Sequence, residues 1–190
     1  MPTERTTTIT VYKFDELDDS AQEHALDKWR EAEDYSYMSE CINADFEEYL
    51  TERGLPTDNL EWSVSWSQGD GVSFSGTIDV EKFLRFHKRW AAYRMLWNFE
   101  PQAQIAKGSH HGYYISVEAS CAYDDMENWT AKHDAKEAEL QEELQEHVYE
   151  IAQDMYYRAQ REMEYQMSDE VITDTLINLD YEFDAEGNMI

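Results

Sequence analysis

Basic residues are scarce in this 190-residue chain: 15 Lys and Arg stand against 42 Asp and Glu, a formal net charge of −27. The Lys/Arg clusters that bind nucleic acid by counterion release are missing, so no direct nucleic-acid binding is expected, and anionic lipid is repelled. Cysteine is nearly absent. Cys41 and Cys121 suit a reducing cytosol and two ordinary thiols. No apolar run approaches the roughly 20 residues of a membrane span, and the Met1-Pro2-Thr3-Glu4 start is not that of a signal peptide. The expected location is therefore the cytoplasm, with no membrane partner.

Catalytic signatures are missing too. There is no Gly-rich phosphate loop, no Gly-x-Ser-x-Gly elbow and no His-Glu-x-x-His. His110-His111 with Cys121 matches no zinc spacing, and His24, His87, His133 and His147 are scattered. The stretch Glu182–Gly187 echoes a calcium loop whose bidentate twelfth ligand falls beyond Ile190. Carboxylates are so numerous that some pair always looks catalytic, so such pairs carry no information. The expectation is a protein that is not an enzyme, with no cofactor and no metal.

What is present is a folded protein with an acidic coat. Hydrophobic residues make up 42% and aromatics 14%, too rich for a disordered acidic tail. The charge is uneven. Residues 1–58 hold 16 acids and 5 bases, residues 59–111 hold 5 and 6, and residues 112–190 hold 21 and 4. A halophilic coat is expected to spread more evenly; two acidic segments around a neutral middle suggest one or two acidic faces.

Periodicity orders the chain. Thr6–Phe14 alternates as a strand. Asp15–Ser20 stacks acids at a helix start, followed by Ala21, Ala25, Leu26 and Trp29 at helical spacing. A second helix spans Met38–Arg53, with Cys41, Ile42, Phe46, Tyr49 and Leu50 inward and Gly54 as its stop. Leu60–Trp66 and Val72–Ile78 alternate around an Asp70-Gly71 hairpin signal. Glu81–Trp97 reads as a helix, Tyr113–Cys121 as a strand and Ala131–Met167 as a long helix with a stripe of Leu140, Leu144, Val148, Ile151, Met155 and Ala159. A short helix over Asp169–Ile177 and an extended Leu179–Phe183 finish the chain. The expected architecture is one α+β domain over residues 1–190, an antiparallel sheet packed against helices with one long helix in the C-terminal half. Trp62, Val64, Trp66, Val72, Phe74, Ile115 and Val117 should line the packed sheet face.

Three surfaces stand out. Ser63, Ser65, Ser73, Ser75, Thr77, Ser116 and Ser120 form a hydroxyl-rich sheet face, which reads as a solvated face or a flat partner surface. Lys82, Arg85, Lys88, Arg89 and Arg94 make one basic helix, expected to bridge acidic neighbours. The acids are denser. Asp15, Glu16, Asp18, Asp19, Glu23 and Asp27 crowd the first helix. Glu139, Glu142, Glu143, Glu146 and Glu150 lie opposite the apolar stripe of the long one, and all eleven are expected to be exposed and partner-binding. Carboxylates at three- and four-residue steps lie about 5–6 Å apart along a helix. Phosphates on one DNA strand advance about 3.4 Å per nucleotide, so rows from two helices could approximate the phosphate row.

Val11–Ala21 with Ala25 and Trp29, the hairpin Trp66-Ser67-Gln68-Gly69-Asp70-Gly71-Val72-Ser73-Phe74-Ser75-Gly76, and the ending Met167–Glu170 through Tyr181–Phe183 to Gly187 together resemble a family of small acidic phage and prophage proteins. Members are sometimes labelled antitoxins of toxin–antitoxin systems. The resemblance implies a phage-encoded protein made in a bacterial host cytoplasm. With the charge, it leads to the expectation of an inhibitor of a host nucleic-acid-handling defence, of anti-CRISPR or anti-restriction type. Its acids would occupy a Lys/Arg groove of a nucleic-acid-binding protein or ribonucleoprotein complex. The alternative is an antitoxin-like neutraliser of a basic toxin.

Overall fold

The computed structural model describes residues 10–32, 35–65, 69–107, 115–122 and 128–190. The chain is α+β, and its elements separate into two compact units: residues 1–36 with 161–190, and residues 37–160. The boundary falls inside the longest helix.

The first unit holds helices α1 (Asp19–Ala32) and α5 (Asp169–Asn178) and the last turns of the long helix. Phe14, Leu17, Ala21, Ala25, Ile172, Leu176 and Phe183 form its core. The Asp18 carboxylate accepts from the Ala21 amide at 2.9 Å, and Ser168 caps α5 through the Val171 amide. The expected strand at Thr6–Phe14 is not continued in the described part. Tyr12 makes a single antiparallel bridge to Phe183, and Phe14–Glu16 is already a 3-10 turn; residues 6–9 lie outside the described residues. The C-terminal tail closes on α1 through Gly187. Its φ is +85°, and a Cβ there would stand 2.1 Å from the Ala21 carbonyl oxygen, so the contact requires glycine.

The second unit is built on a four-stranded antiparallel sheet in the order β1 (Asp58–Ser63), β2 (Gly71–Ile78), β3 (Gln102–Lys107) and β4 (Ile115–Ser120). Helix α2 (Ser36–Glu52), α3 (Val80–Phe86), a 3-10 helix over Trp90–Phe99 and α4 (Ala131–Gln166) complete it. Val72, Phe74, Ile115 and Val117 are buried in one core with Ile42, Phe46 and Leu50 of α2 and Leu140, Leu144, Val148 and Met155 of α4. Burying each of these large side chains contributes about 1.5–3 kcal/mol. Trp62 and Val64 are half-buried against that core, and the Trp62 indole donates to Asn43 on α2 at 2.8 Å. Trp66 lies outside the described residues.

Several expectations need correction. Cys41 is exposed rather than inward. The helix read over Glu81–Trp97 breaks after Phe86: Lys88 adopts φ +58°, and the Arg89 amide donates to the Leu84 carbonyl at 2.7 Å. That six-residue closure is the one that ends α2, where the Leu55 amide donates to the Leu50 carbonyl at 3.0 Å across Gly54, φ +73°. Gly54 announces its cap in the sequence and Lys88 does not. Strand β3 was not expected at all; its inward residues are Ala103 and Ile105 between exposed glutamines, a weak β signal that pairing with β2 and β4 overrides.

Part of the hydroxyl face is spent within the fold, while Thr77, Ser116 and Ser120 stay exposed. Ser73 is fully buried, and its hydroxyl has no partner among the described residues. Ser63 and Ser65 donate to the Asp70 carboxylate at 3.1 and 2.7 Å, and Ser75 accepts from Asn59 at 2.9 Å.

Candidate acidic binding face

At 100° per residue, the buried positions of α4 (Leu140, Leu144, Val148, Ile151, Met155) fall on one side of the helix. Glu139, Glu142, Glu146 and Glu150 fall on the other and are all exposed. Tyr149 and Tyr157 share that stripe, 57% and 54% exposed. Lys136 pairs with Glu139 at 2.7 Å. Among the described residues no ion pair is made by Glu142, Glu146 or Glu150, so their carboxylates face water with their charge uncompensated.

Glu143 departs from this group. Its side chain is only 10% exposed, because a step of 100° from Glu142 turns it toward the 3-10 helix. Arg89 donates to both of its oxygens, at 2.7 and 2.9 Å, and the Tyr93 hydroxyl donates to it as well. Burial alone would raise the Glu143 carboxyl, but the bonds from Arg89 and Tyr93 outweigh it and hold the carboxyl below its ordinary range. Burial, then the hydrogen bond to Glu143, pushes the Tyr93 phenol up. Glu143 is therefore a packed ionic contact between α4 and the 3-10 helix and is not part of the exposed stripe. Arg85 is likewise taken by Glu81 at 2.6 Å, so two of the five basic side chains, Arg85 and Arg89, bridge acidic neighbours.

Beside Glu143 on the same flank of α4 lies His147, whose Nδ1 is 2.9 Å from the Glu143 carbonyl oxygen. Its ring stands edge-on to His87, centroids 4.7 Å apart, against Phe83. Burial lowers the His87 pKa below its ordinary value, and the nearby His147 and Arg53 lower it further. Further along, the Tyr49 hydroxyl of α2 donates to Asp154 of α4 at 2.8 Å. The Arg53 and Arg158 guanidiniums sit over the Tyr49 ring at 3.4 and 4.4 Å.

Around that contact α2 presents exposed acids of its own. On α2, Tyr49 separates the buried stripe from Asp45, Glu48 and Glu52; on α4, Asp154 separates it from Glu146 and Glu150. Both sets are exposed. The sequence reading missed the α2 acids. Five of them, Glu40, Asp45, Glu47, Glu48 and Glu52, lie in one helix, but they are interleaved with its apolar residues and form no run.

The first-helix acids belong to the other unit. Asp15, Glu16, Asp18, Asp19, Glu23 and Asp27 are all exposed. Three have structural tasks: Glu16 accepts from the Lys13 amide at 2.8 Å, Asp18 caps α1, and Asp27 pairs with Arg30 at 2.9 Å. Asp15, Asp19 and Glu23 make no ion pair among the described residues.

Among the described residues, no group of three or more His, Cys, Asp or Glu is placed to hold a metal ion, and no helix is long and apolar enough to cross a membrane. His110 and His111 lie outside them. The family model described as Domain of unknown function (DUF8835) matches residues 38–169, and the chain belongs to that family. No curated protein and no solved structure matches it.

Proposed function

We propose that this member of the DUF8835 family acts by binding rather than catalysis, laying the exposed acids of α4, together with those of α2, into a cationic groove built for nucleic-acid phosphates. The observation that carries the reading is the exposed stripe Glu139, Glu142, Glu146 and Glu150 on α4, with further exposed acids, Asp45, Glu48 and Glu52, on α2. Glu139 to Glu150 covers roughly 16 Å of helix. A DNA strand crosses that distance in about five phosphates, against four carboxylates in the stripe, and the α2 acids add to the charge. Self-repulsion at −27 costs stability, and most of these acids give nothing back inside the fold. A partner that neutralises them accounts for their retention.

The exposed tyrosines Tyr149 and Tyr157 fit the same purpose. Large aromatics lose little conformational freedom on binding and often anchor interfaces whose rims are charged. The partner is a basic nucleic-acid-binding protein or ribonucleoprotein complex. With the resemblance to acidic phage proteins, the setting is inhibition of a host nucleic-acid-handling defence, of anti-CRISPR or anti-restriction type, in a bacterial cytoplasm.

The test pairs capture with competition. Bacterial lysate proteins retained by the wild-type chain, and lost by a variant carrying Lys at 139, 142, 146 and 150, are identified by mass spectrometry. The retained protein should bind DNA or RNA, and the wild-type chain should displace that nucleic acid without binding it. Retention of a basic toxin without nucleic-acid function would favour a neutraliser instead. Equal retention by both chains would remove the acidic face from the mechanism.

A further inference from the structure

The edge of β4 is not bare. Three side chains of α4, each one helical turn from the next, bond to its outward backbone groups. The Gln145 amide oxygen accepts from the Val117 N–H at 2.8 Å, and its nitrogen donates to the Ile115 carbonyl at 3.2 Å. Gln141 repeats the arrangement one step on, accepting from the Ala119 N–H and donating to the Val117 carbonyl. Glu137 accepts from the Cys121 N–H at 2.7 Å. The match is geometric: four helical residues rise about 6 Å, close to the roughly 6.6–6.8 Å between alternate residues of a strand. Each glutamine amide thus plays the part of a peptide group in an absent neighbouring strand.

We infer that the row Glu137, Gln141 and Gln145 is an edge guard, holding the place of a fifth strand so that β4 cannot pair with the β4 of a second copy of this chain. An open strand edge is a template for pairing, and proteins blunt it with charge, bulges or cover. The other edge of this sheet uses the first two devices. Strand β1 carries Asp58 and Glu61, and its register shifts between them where Asn59 takes φ +51°. Strand β4 has neither. It alternates cleanly from Ile115 to Ser120, pairs in unbroken register with β3, and carries a single carboxylate, Glu118. Of the two edges, β4 has the weaker like-charge repulsion, one carboxylate against two on β1. The same edge on a second copy offers a self-complementary antiparallel partner related by a two-fold axis.

The experiment uses the full chain carrying Gln141→Ala and Gln145→Ala. Mass by light scattering across a concentration series, read with amide hydrogen exchange, should show two changes. At low concentration Val117 and Ala119 should exchange at least about tenfold faster than in the wild type. At high concentration the variant should form a dimer that the wild type does not, with those amides protected again. A second variant, Gln141→Glu with Gln145→Glu, keeps the acceptors, removes the donors and adds charge; it should exchange faster yet gain no self-association. A double-alanine chain of wild-type mass at every concentration would overturn the inference. So would fast exchange of Val117, Ala119 and Cys121 in the wild type, a reading that stands even if the variants do not fold.

Discussion

Glu142 and Glu143 are neighbours in sequence and differ in almost everything else. Glu142 shares an exposed stripe with Glu139, Glu146 and Glu150, while the side chain of Glu143 is 10% exposed and holds Arg89 and Tyr93. The flank of α4 that meets β4 goes further, spending Glu137, Gln141 and Gln145 on the backbone of a strand. One helix therefore carries acids that the fold consumes and acids that it leaves unused. Composition cannot separate them; a 100° rotation does. What remains after the fold has taken its share is what a partner can use.

The largest expected effect breaks the comparison from the exposed side. Reversing Glu139, Glu142, Glu146 and Glu150 to Lys should weaken binding to the captured partner by about two orders of magnitude or more, since every tenfold corresponds to about 1.4 kcal/mol. The fold should survive, because these positions bury nothing. Association rates should fall most, and the loss should shrink as salt screens the wild-type attraction over about 8 Å at physiological strength. Titration calorimetry at two salt concentrations measures it, and equal affinities of the two chains would place the interface elsewhere.

Next in size is Glu143→Ala, which breaks the comparison from the buried side. It leaves the Tyr93 hydroxyl without its acceptor and Arg89 without its carboxylate, at a cost of about 2–3 kcal/mol. Urea denaturation should show the loss, with the unfolding slope unchanged. A neutral outcome would return Glu143 to the exposed group.

The sequence made most of the frame legible. Stripes in α1, α2 and α4, the Gly54 stop and the β1–β2 alternation all carry strong periodic signals, and the structure places them accordingly, except that β1 runs Asp58–Ser63 where Leu60–Trp66 was expected. The failures share a physical cause, which is that tertiary contacts decided them. Lys88 takes a left-handed cap without glycine because Phe83 and Leu84 on one side, and Tyr93, Leu96 and Phe99 on the other, are all buried. Strand β3 exists because both of its neighbours pair with it. For the site, ten of the eleven expected acids are exposed. The eleventh, Glu143, lay on a boundary of the helical wheel that only Arg89 and Tyr93 could resolve. The α2 acids escaped because they are spread among inward residues rather than run together.

A smaller effect concerns pH on the consumed side. His87 titrates below its ordinary value of 6.5 in the folded chain, from burial first and then from His147 and Arg53; Glu143 and Glu150 act in the opposite sense. The unfolded chain therefore binds the proton first. The stabilisation is complete above pH 6.5 and is lost as pH falls through that value toward the folded pKa. Glu143, also lowered, withdraws its share only below its ordinary 4.5. Protonation of the exposed acids works against both by relieving repulsion. His87→Phe isolates the first step: between pH 7 and about pH 5.5 its melting temperature should fall less than that of the wild type. Parallel curves for the two chains would discard His87 as the cause.

The smallest effect is the one whose sign matters. Glu142, Glu146 and Glu150 stand four residues apart on one exposed face, so Glu146 has a like charge one turn away on either side. Like-charge pairs at that spacing destabilise a helix by about 0.2–0.5 kcal/mol each. Neutralising the central one, Glu146→Gln, keeps the side-chain length and relieves both pairs, so the chain should become more stable by about 0.5 kcal/mol at low salt. The gain should fade as salt is added, since screening already does in the wild type what the substitution does in the variant. Glu143→Gln, one turn of the wheel away, should instead destabilise at every salt concentration, because a neutral amide cannot answer Arg89. Opposite signs from the same substitution three residues apart would mark Glu146 as charge the fold does not need. A loss of stability at Glu146 would mean that the exposed face serves the fold, and the case for a partner would lose its ground.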